Sequence, residues 1–425
     1  MEKLLILGIN TRTIIDSALK LNYQTHSSSY YSTLDAKTVY KEKHMLQQKP
    51  YQSCGIFEEN FNFVEILNNC SNWIEDIDHI VLTSGISPEH FNGNIKLKNN
   101  ENINISKLNN VLKKNKKKII GNKNVESTEN KYRFYKKMKN KYPLPLTFKL
   151  PADVNDIITY TLDIVKQYDD KKFIIKELSG SGGYGISFLN NEPIFQLKEY
   201  LSKMNNKKQD LLLQEYVDGD NLSCSVLGTK NNSKSIIVSE NINNSYYQKN
   251  EDKKDFRYSG NISPINQDKY NDHILKEVNE LSESMISDFS LIGSNGVDLI
   301  VKDDKINIIE INPRFQGTYE SVEDVLGINL LETHIKACND DLIDVPNPKN
   351  YSMKKIVYTP RRLKFNINSS KNLSKNIAIS DIPYESTIIE ENQPMLTLTG
   401  KNSKIDDLKR DIEKANKHIN LAMTN

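Results

Sequence analysis

At 425 residues the chain is long enough for two or three units with adjoining hydrophobic cores. Hydrophobic residues make up 37% and charged residues 26%, a soluble globular balance, and a net charge of +2 gives no general attraction to nucleic acid. Cys54, Cys70, Cys224 and Cys338 form no C-x-x-C pair, so neither disulfides nor structural zinc are expected and a cytoplasmic location is.

The chain begins MEKLLILGIN, whose apolar run is too short for a signal peptide or membrane span, so no membrane partner is expected. Leu4 to Ile9 reads as a strand, Gly8-Ile-Asn10 as a tight turn, and Thr13 to Leu21 as a helix. A second apolar strand, Ile80 to Leu82, runs into the small-residue loop Thr83–Gly85. Residues 1–120 are therefore expected to form an open α/β domain with ligands at the C-terminal ends of its strands. The lysine run from Lys113 to Lys118 reads as a solvated helix end beside the boundary.

A basic amphipathic helix is expected from about Thr128, and YPLPLTF, Tyr142 to Phe148, should be extended. FIIKEL and ISFL follow as two hairpin strands separated by a loop with Gly180-x-Gly182-x-x-Gly185. That pattern occurs in dinucleotide folds, in kinases and in other phosphate-cradling loops. A dinucleotide turn opens a helix, whereas here the apolar strand Ile186–Leu189 comes next. A kinase needs H-R-D and D-F-G downstream, and SDFSLIG, Ser287 to Gly293, does not supply them. Lys176 stands among apolar strand residues just before the loop. Burying its charge is costly unless an anion pairs with it, and a phosphate held by the loop would do so.

LLLQEYVDG reads as a buried strand entering a turn. The polar loop Asn243–Pro264, with Arg257, Tyr258 and Asn261 near its end, is a candidate lid, Arg257 being a candidate partner for a substrate carboxylate. A helix near 271–288 precedes GVDLIV and INIIEINP, two strands joined by KDDK. Glu310 and Asn312 are two apart and share a strand face, and the turn can bring Asp298 beside them. Two carboxylates and an amide oxygen are hard ligands of the kind magnesium takes, with water and phosphate completing its shell. Arg314 follows, suited to bidentate contact with phosphate or carboxylate.

Lys176, the SGSGGYG loop, LLLQEYVDG and GVDLIV…IIEINPR together resemble the ATP-grasp superfamily over roughly residues 121–340. The tail DIPYESTIIEENQPMLTLTGKNSKIDDLKRDIEKA is similar to that of ATP-dependent carboligases related to biotin carboxylase. The resemblance implies an α/β and α+β protein in three parts: an N-terminal open α/β (pre-ATP-grasp) domain at 1–120, a two-lobed ATP-grasp domain at 121–345, and a small C-terminal mixed segment at 346–425. The glycine-loop lobe would be 121–213 and the metal-binding lobe 214–345.

Matching positions then imply roles. Lys131 and Lys176 would contact phosphates, with the loop Ser179, Gly180, Ser181, Gly182 and Gly183 closing over them through Gly185. Glu215 and Val217 would hold the adenine edge, and Asp220 or Asn221 the ribose. Asp298, Glu310 and Asn312 would hold magnesium or manganese, as two ions, and Arg314 would stabilise the transferred phosphoryl group. The implied reaction is ADP-forming carbon–nitrogen ligation of a small-molecule carboxylate and an amine, in a protein that forms a homodimer. An ATP-binding regulatory protein without turnover and a bicarbonate-using carboxylase-like enzyme are the alternatives.

Overall fold

The computed structural model describes residues 1–36, 40–47, 51–96, 103–178, 180, 182–189, 193–203, 210–243, 255–366 and 376–422. The N-terminal unit is a four-stranded parallel sheet in the order Lys41–Gln47, Gln24–Ser32, Lys3–Gly8, His79–Leu82. Leu4 to Leu7 are all fully buried, as expected of a parallel strand covered on both faces. The helix Arg12–Lys20 covers one face and Phe63–Cys70 the other.

One of these strands has an unexpected composition. Gln24–Ser32 is QTHSSSYYS, yet Ser27, Ser28 and Ser29 are fully buried. Their hydroxyls are satisfied locally: Ser28 donates to the Ile66 carbonyl, Ser29 to the Tyr31 carbonyl, and Ser27 pairs with Thr11. Small side chains with internal partners can occupy a buried strand without the apolar signature.

The glycine-loop lobe is a four-stranded antiparallel sheet, Thr147–Lys149, Leu211–Glu215, Phe173–Glu177, Ser187–Leu189. Phe173–Glu177 and Ser187–Leu189 are the expected hairpin strands, paired from Phe173↔Leu189 to Ile175↔Ser187. The largest sheet has eight strands and runs from Lys305–Asn312 and Gly293–Lys302 through Asp220–Gly228, Ser233–Asn243 and Tyr258–Ser263 to Tyr351–Tyr358, Pro394–Asn402 and Ile377–Ser380. The strands after residue 346 thus continue the sheet that carries Asp298 and Glu310. Helix Asp272–Asp288 packs over a core that includes Val297, Leu299, Ile308 and Ile311, each worth about 1.5–3 kcal/mol when fully buried. All four cysteines are free. Among the described residues, no helix is long and apolar enough to cross a membrane.

Candidate functional site

Asp298 and Glu310 sit directly opposite each other on paired strands. Simple alternation would not put Glu310 there, because Ile306 and Ile308 face the core and Glu310 shares their parity. The register gives the reason: Leu299 pairs with Ile308 but Asp298 pairs with Glu310, so Ile309 is an extra residue in a β-bulge. The bulge reverses the alternation. Ile311 then enters the core opposite Val297, while Glu310 and Asn312 join Asp298 on the cavity side. Beneath them the strands close through Asp303 and Asp304, both at positive φ, as a two-residue hairpin turn requires.

The two carboxylates differ in partners. Asp298 accepts from Ser223 Oγ at 2.7 Å, Asn312 Nδ2 at 2.7 Å and Gln316 Nε2 at 3.4 Å, all neutral donors. Burial, and then the charge of Glu310, push its carboxyl up to about 6. Glu310 pairs with Lys131 Nζ at 2.9 Å, and Lys131 also donates to the Gly180 carbonyl at 2.6 Å. Burial would raise Glu310, but Lys131 and Lys176 outweigh it and hold the carboxyl below its ordinary value. Lys176 is 3% exposed; burial, then Lys131, push its ammonium down to about 7 against the pull of Glu310.

The glycine loop folds back over this group. Tyr258 N–H donates to the Gly182 carbonyl at 3.1 Å, and a side chain at Gly183 would fall 1.9 Å from the Phe256 carbonyl oxygen. Gly183 also has φ +78°, so the loop's closest approach needs glycine on two counts. Tyr184 of the loop reaches across to Phe57 of the N-terminal unit, with ring centroids 5.3 Å apart.

One continuous cavity of about 1370 Å³ takes in this whole arrangement. Lys131, Lys176, Gly180, Gly182, Gly183, Glu215, Val217, Asn221, Asp298, Glu310, Asn312 and Arg314 all line it. Ser179 and Ser181 lie outside the described residues, as do residues 244–254 of the expected lid. Asp220 is not on the cavity wall; it is held by Lys269 Nζ at 2.6 Å and Tyr270 Oη at 2.9 Å. Asn221 is the member of that pair that faces the cavity. Glu215 lines the wall while its carboxylate accepts from Lys171 at 2.6 Å and from the Leu146 amide at 3.1 Å. Arg257 is off the wall: it forks onto Asp255, donates to the Asn392 carbonyl at 2.7 Å and stacks on Tyr358. Asn261 is fully buried between Tyr258 and Ser263 rather than exposed on a loop.

Sequence reasoning missed Ser223 and Gln316, which brace Asp298, and Asn122, which braces the following turn. Asn122 accepts from the Ile292 amide and donates to Asn295 Oδ1 and the Pro313 carbonyl, fixing the peptide just before Arg314. The loops Gly8–Asn10 and Thr83–Gly85 do supply cavity residues: Ile9, Asn10, Thr83 and Ser84. They can touch because Gly8 has no side chain; a Cβ there would lie 1.9 Å from Thr83 Oγ1.

The donors suit a divalent cation. Asp298 is a buried carboxylate with only neutral partners beside a second carboxylate, and adding positive charge there relieves both burial and repulsion. Among the described residues no group of three or more His, Cys, Asp or Glu is placed to hold a metal. Two carboxylates match an ion that takes its other ligands from water and phosphate, as magnesium does, and Asn312, whose Nδ2 now faces Asp298, would turn its amide oxygen toward that ion.

Residues 128–318 match the family model of an ATP-grasp domain. The uncharacterized protein MJ0776 of Methanocaldococcus jannaschii is 29% identical over 94% of this chain and 88% of its own length. The tyramine–L-glutamate ligase of the same organism is 30% identical over 41% of this chain and 46% of its own. In fold, the chain is similar to N5-carboxyaminoimidazole synthase from Aspergillus clavatus, solved with ADP and 5-aminoimidazole ribonucleotide. That match has a TM-score of 0.69 at 14% identity and covers 98% of both chains.

Proposed function

From an ATP-grasp domain spanning residues 128–318, we propose that this chain is an ATP-dependent carboxylate ligase that forms a carbon–nitrogen bond and releases ADP and phosphate. The observation that carries the reading is the Asp298–Glu310 pair under the glycine loop, in which only Glu310 has a cationic partner.

Asp298, Glu310 and Asn312 would hold magnesium. Bound there, the ion supplies neutralising charge as the γ-phosphoryl group moves. Lys176 and Lys131 bind the phosphate chain by charge-assisted hydrogen bonds, Lys131 exchanging its present contacts with Glu310 and the Gly180 carbonyl. Gly182 and Gly183 let the loop backbone approach those phosphates and exclude water. The adenine edge lies against Glu215 and Val217 at the turn between lobes, and Asn221 is placed for the ribose.

A substrate carboxylate oxygen attacks the γ-phosphorus and the bond to the β-phosphate oxygen breaks, giving an acyl-phosphate and ADP. A neutral amine then attacks the acyl carbon, phosphate leaves with its oxygen, and the amine's proton passes to solvent. Arg314 holds the transferred phosphoryl group through both steps by facing its oxygens. No protein nucleophile is needed. A turnover-free regulatory role fits poorly, because Lys131, Lys176, Asp298, Glu310, Asn312 and Arg314 all line one cavity.

The test is product analysis. The full chain is incubated with magnesium, ATP and a pooled metabolite extract, with Glu310→Gln alongside. ADP and phosphate that appear only with extract and wild-type protein support the reading. AMP and pyrophosphate would mean adenylation and overturn it, and ADP formation that depends on bicarbonate alone would replace the amine ligase with a carboxylating enzyme.

A further inference from the structure

A single ligand pocket is usually about 300–1,000 Å³. At about 1370 Å³ the cavity has room beyond a nucleotide, and it continues past Arg314 to the junction of the parallel sheet with the strands after residue 346. At that far end an ion chain is buried in the wall. Asp381 Oδ1 meets Arg12 Nε at 2.8 Å, Arg12 Nη2 meets Glu320 Oε1 at 2.6 Å, and Glu320 Oε2 meets Lys354 Nζ at 3.0 Å. Arg12 also meets Asp35 Oδ2 and Asp16 Oδ2 at 3.5 Å each, so the cluster holds more carboxylates than cations, and the Arg12 side chain is only 6% exposed.

Only the two ends of this chain, Asp381 and Lys354, line the cavity, and they carry opposite signs. Each has bonding capacity left among the described residues. Lys354 Nζ donates one hydrogen bond, to the Gly317 carbonyl at 3.4 Å, beside its ion pair with Glu320. Asp381 Oδ1 accepts from Arg12 and Asn10, while Oδ2 accepts from Thr397 alone. Next to Asp381, the Asp35 carboxylate accepts from the Asp381 and Ile382 amides and so pins the chain that carries Thr33. Thr33 lines the cavity, and its hydroxyl is buried with no hydrogen-bond partner among the described residues.

We propose that this end of the cavity is a subsite for an α-amino acid, with Lys354 reading its carboxylate and Asp381 with Thr33 its ammonium; this rests on the other end being the Mg-ATP site. A ligand of one sign would satisfy one end and strip water from the other without compensation, which costs affinity. A zwitterion satisfies both and adds no net charge to the buried cluster. Tyr31, Tyr258, Tyr358, Ile356 and Leu396 furnish a wall for the carbon side chain. Arg12 outweighs the effect of burial and holds the Asp381 carboxyl well below its ordinary value, so it stays an acceptor at neutral pH. It is a positioning group and not a base.

The test is the melting temperature of the full chain, with and without Mg-ADP, against three pools. These are the proteinogenic amino acids, amine-free acids (acetate, lactate, succinate) and carboxylate-free amines (ethylamine, putrescine, phenethylamine). The expected result is a stabilising shift with the amino-acid pool alone, lost in Lys354→Met and reduced several-fold in affinity in Thr33→Val. The Mg-ADP shift should persist in both variants. Thr33→Val leaves the ion chain intact and keeps the test valid if Lys354→Met fails to fold. An equal shift from either single-function pool, a shift that needs both of them together, no shift from any pool, or unchanged amino-acid binding in the folded variants overturns the subsite. Loss of the Mg-ADP shift with amino-acid binding retained would instead sink the ATP reading.

Discussion

The two ends of the cavity handle buried charge in opposite ways. At the far end every buried acid meets a base: Arg12 lies against Asp381, Glu320, Asp35 and Asp16, and Lys354 against Glu320. At the near end Asp298 faces Glu310 with neutral donors only, and Lys131 alone offsets the pair by direct contact. A buried carboxylate already paired with a guanidinium needs no further charge, whereas one held by neutral donors alone, as Asp298 is, gains from a cation brought from outside. The difference separates the part of the wall that shapes a pocket from the part that takes up a cation and phosphates.

The contrast is most easily broken at Glu310. Glu310→Gln should lower turnover at least about 100-fold, a loss typical of removing one group that stabilises transition-state charge, with the melting temperature close to wild type. Steady-state ADP release beside a melting curve checks it, and full activity in a folded variant would remove the metal assignment. At the far end the damage should fall on stability. Asp381→Asn leaves Arg12 buried with one partner fewer and should cost about 3 kcal/mol at pH 7 by denaturant unfolding. The sign with pH follows from the lowered carboxyl. Its stabilisation is complete above the ordinary value of 3.8 and is lost as pH falls further toward the folded value. The gap between wild type and Asp381→Asn should therefore close below pH 3.8, and a gap that widens there would contradict the ion chain.

Two smaller effects sharpen the near end. Lys176→Ala should weaken ADP binding about 10- to 100-fold, the worth of one hydrogen bond to a charged group. With its ammonium pushed down to about 7, wild-type binding should take up a proton and weaken as pH rises above 7. Calorimetry in buffers of different ionisation enthalpy measures that uptake, and a pH-independent affinity would place Lys176 away from the phosphates. Ser223→Ala removes one brace from Asp298 and should weaken magnesium about 10-fold, the lower range for a residue behind a ligand. No change in magnesium dependence would make Ser223 merely structural.

These ends were unequally legible in the sequence. The near end is written in short-range patterns: Lys176 before a glycine loop between two strands, and Asp298, Glu310, Asn312 and Arg314 within one hairpin. Even there the alternation of Ile306 and Ile308 would have turned Glu310 inward; the doubled Ile308-Ile309 is the trace of the bulge that turns it out. The far end left no such trace. Arg12 meets Glu320 and Asp381 across 308 and 369 residues, and no local spacing encodes that. The strand QTHSSSYYS hid for another reason, since its buried serines look polar until their hydroxyl partners are known. The continuation of the large sheet past residue 346 was likewise hidden, because it depends on Tyr258–Ser263 pairing with Tyr351–Tyr358.

The near end is tested most directly by the magnesium dependence of ADP affinity, measured by calorimetry on wild-type protein and on Asp298→Asn and Glu310→Gln. Wild-type affinity should rise at least about 10-fold with magnesium, and neither variant should show that rise. An equal magnesium dependence in all three proteins would mean that Asp298 and Glu310 do not hold the ion, and the account of the site would fail.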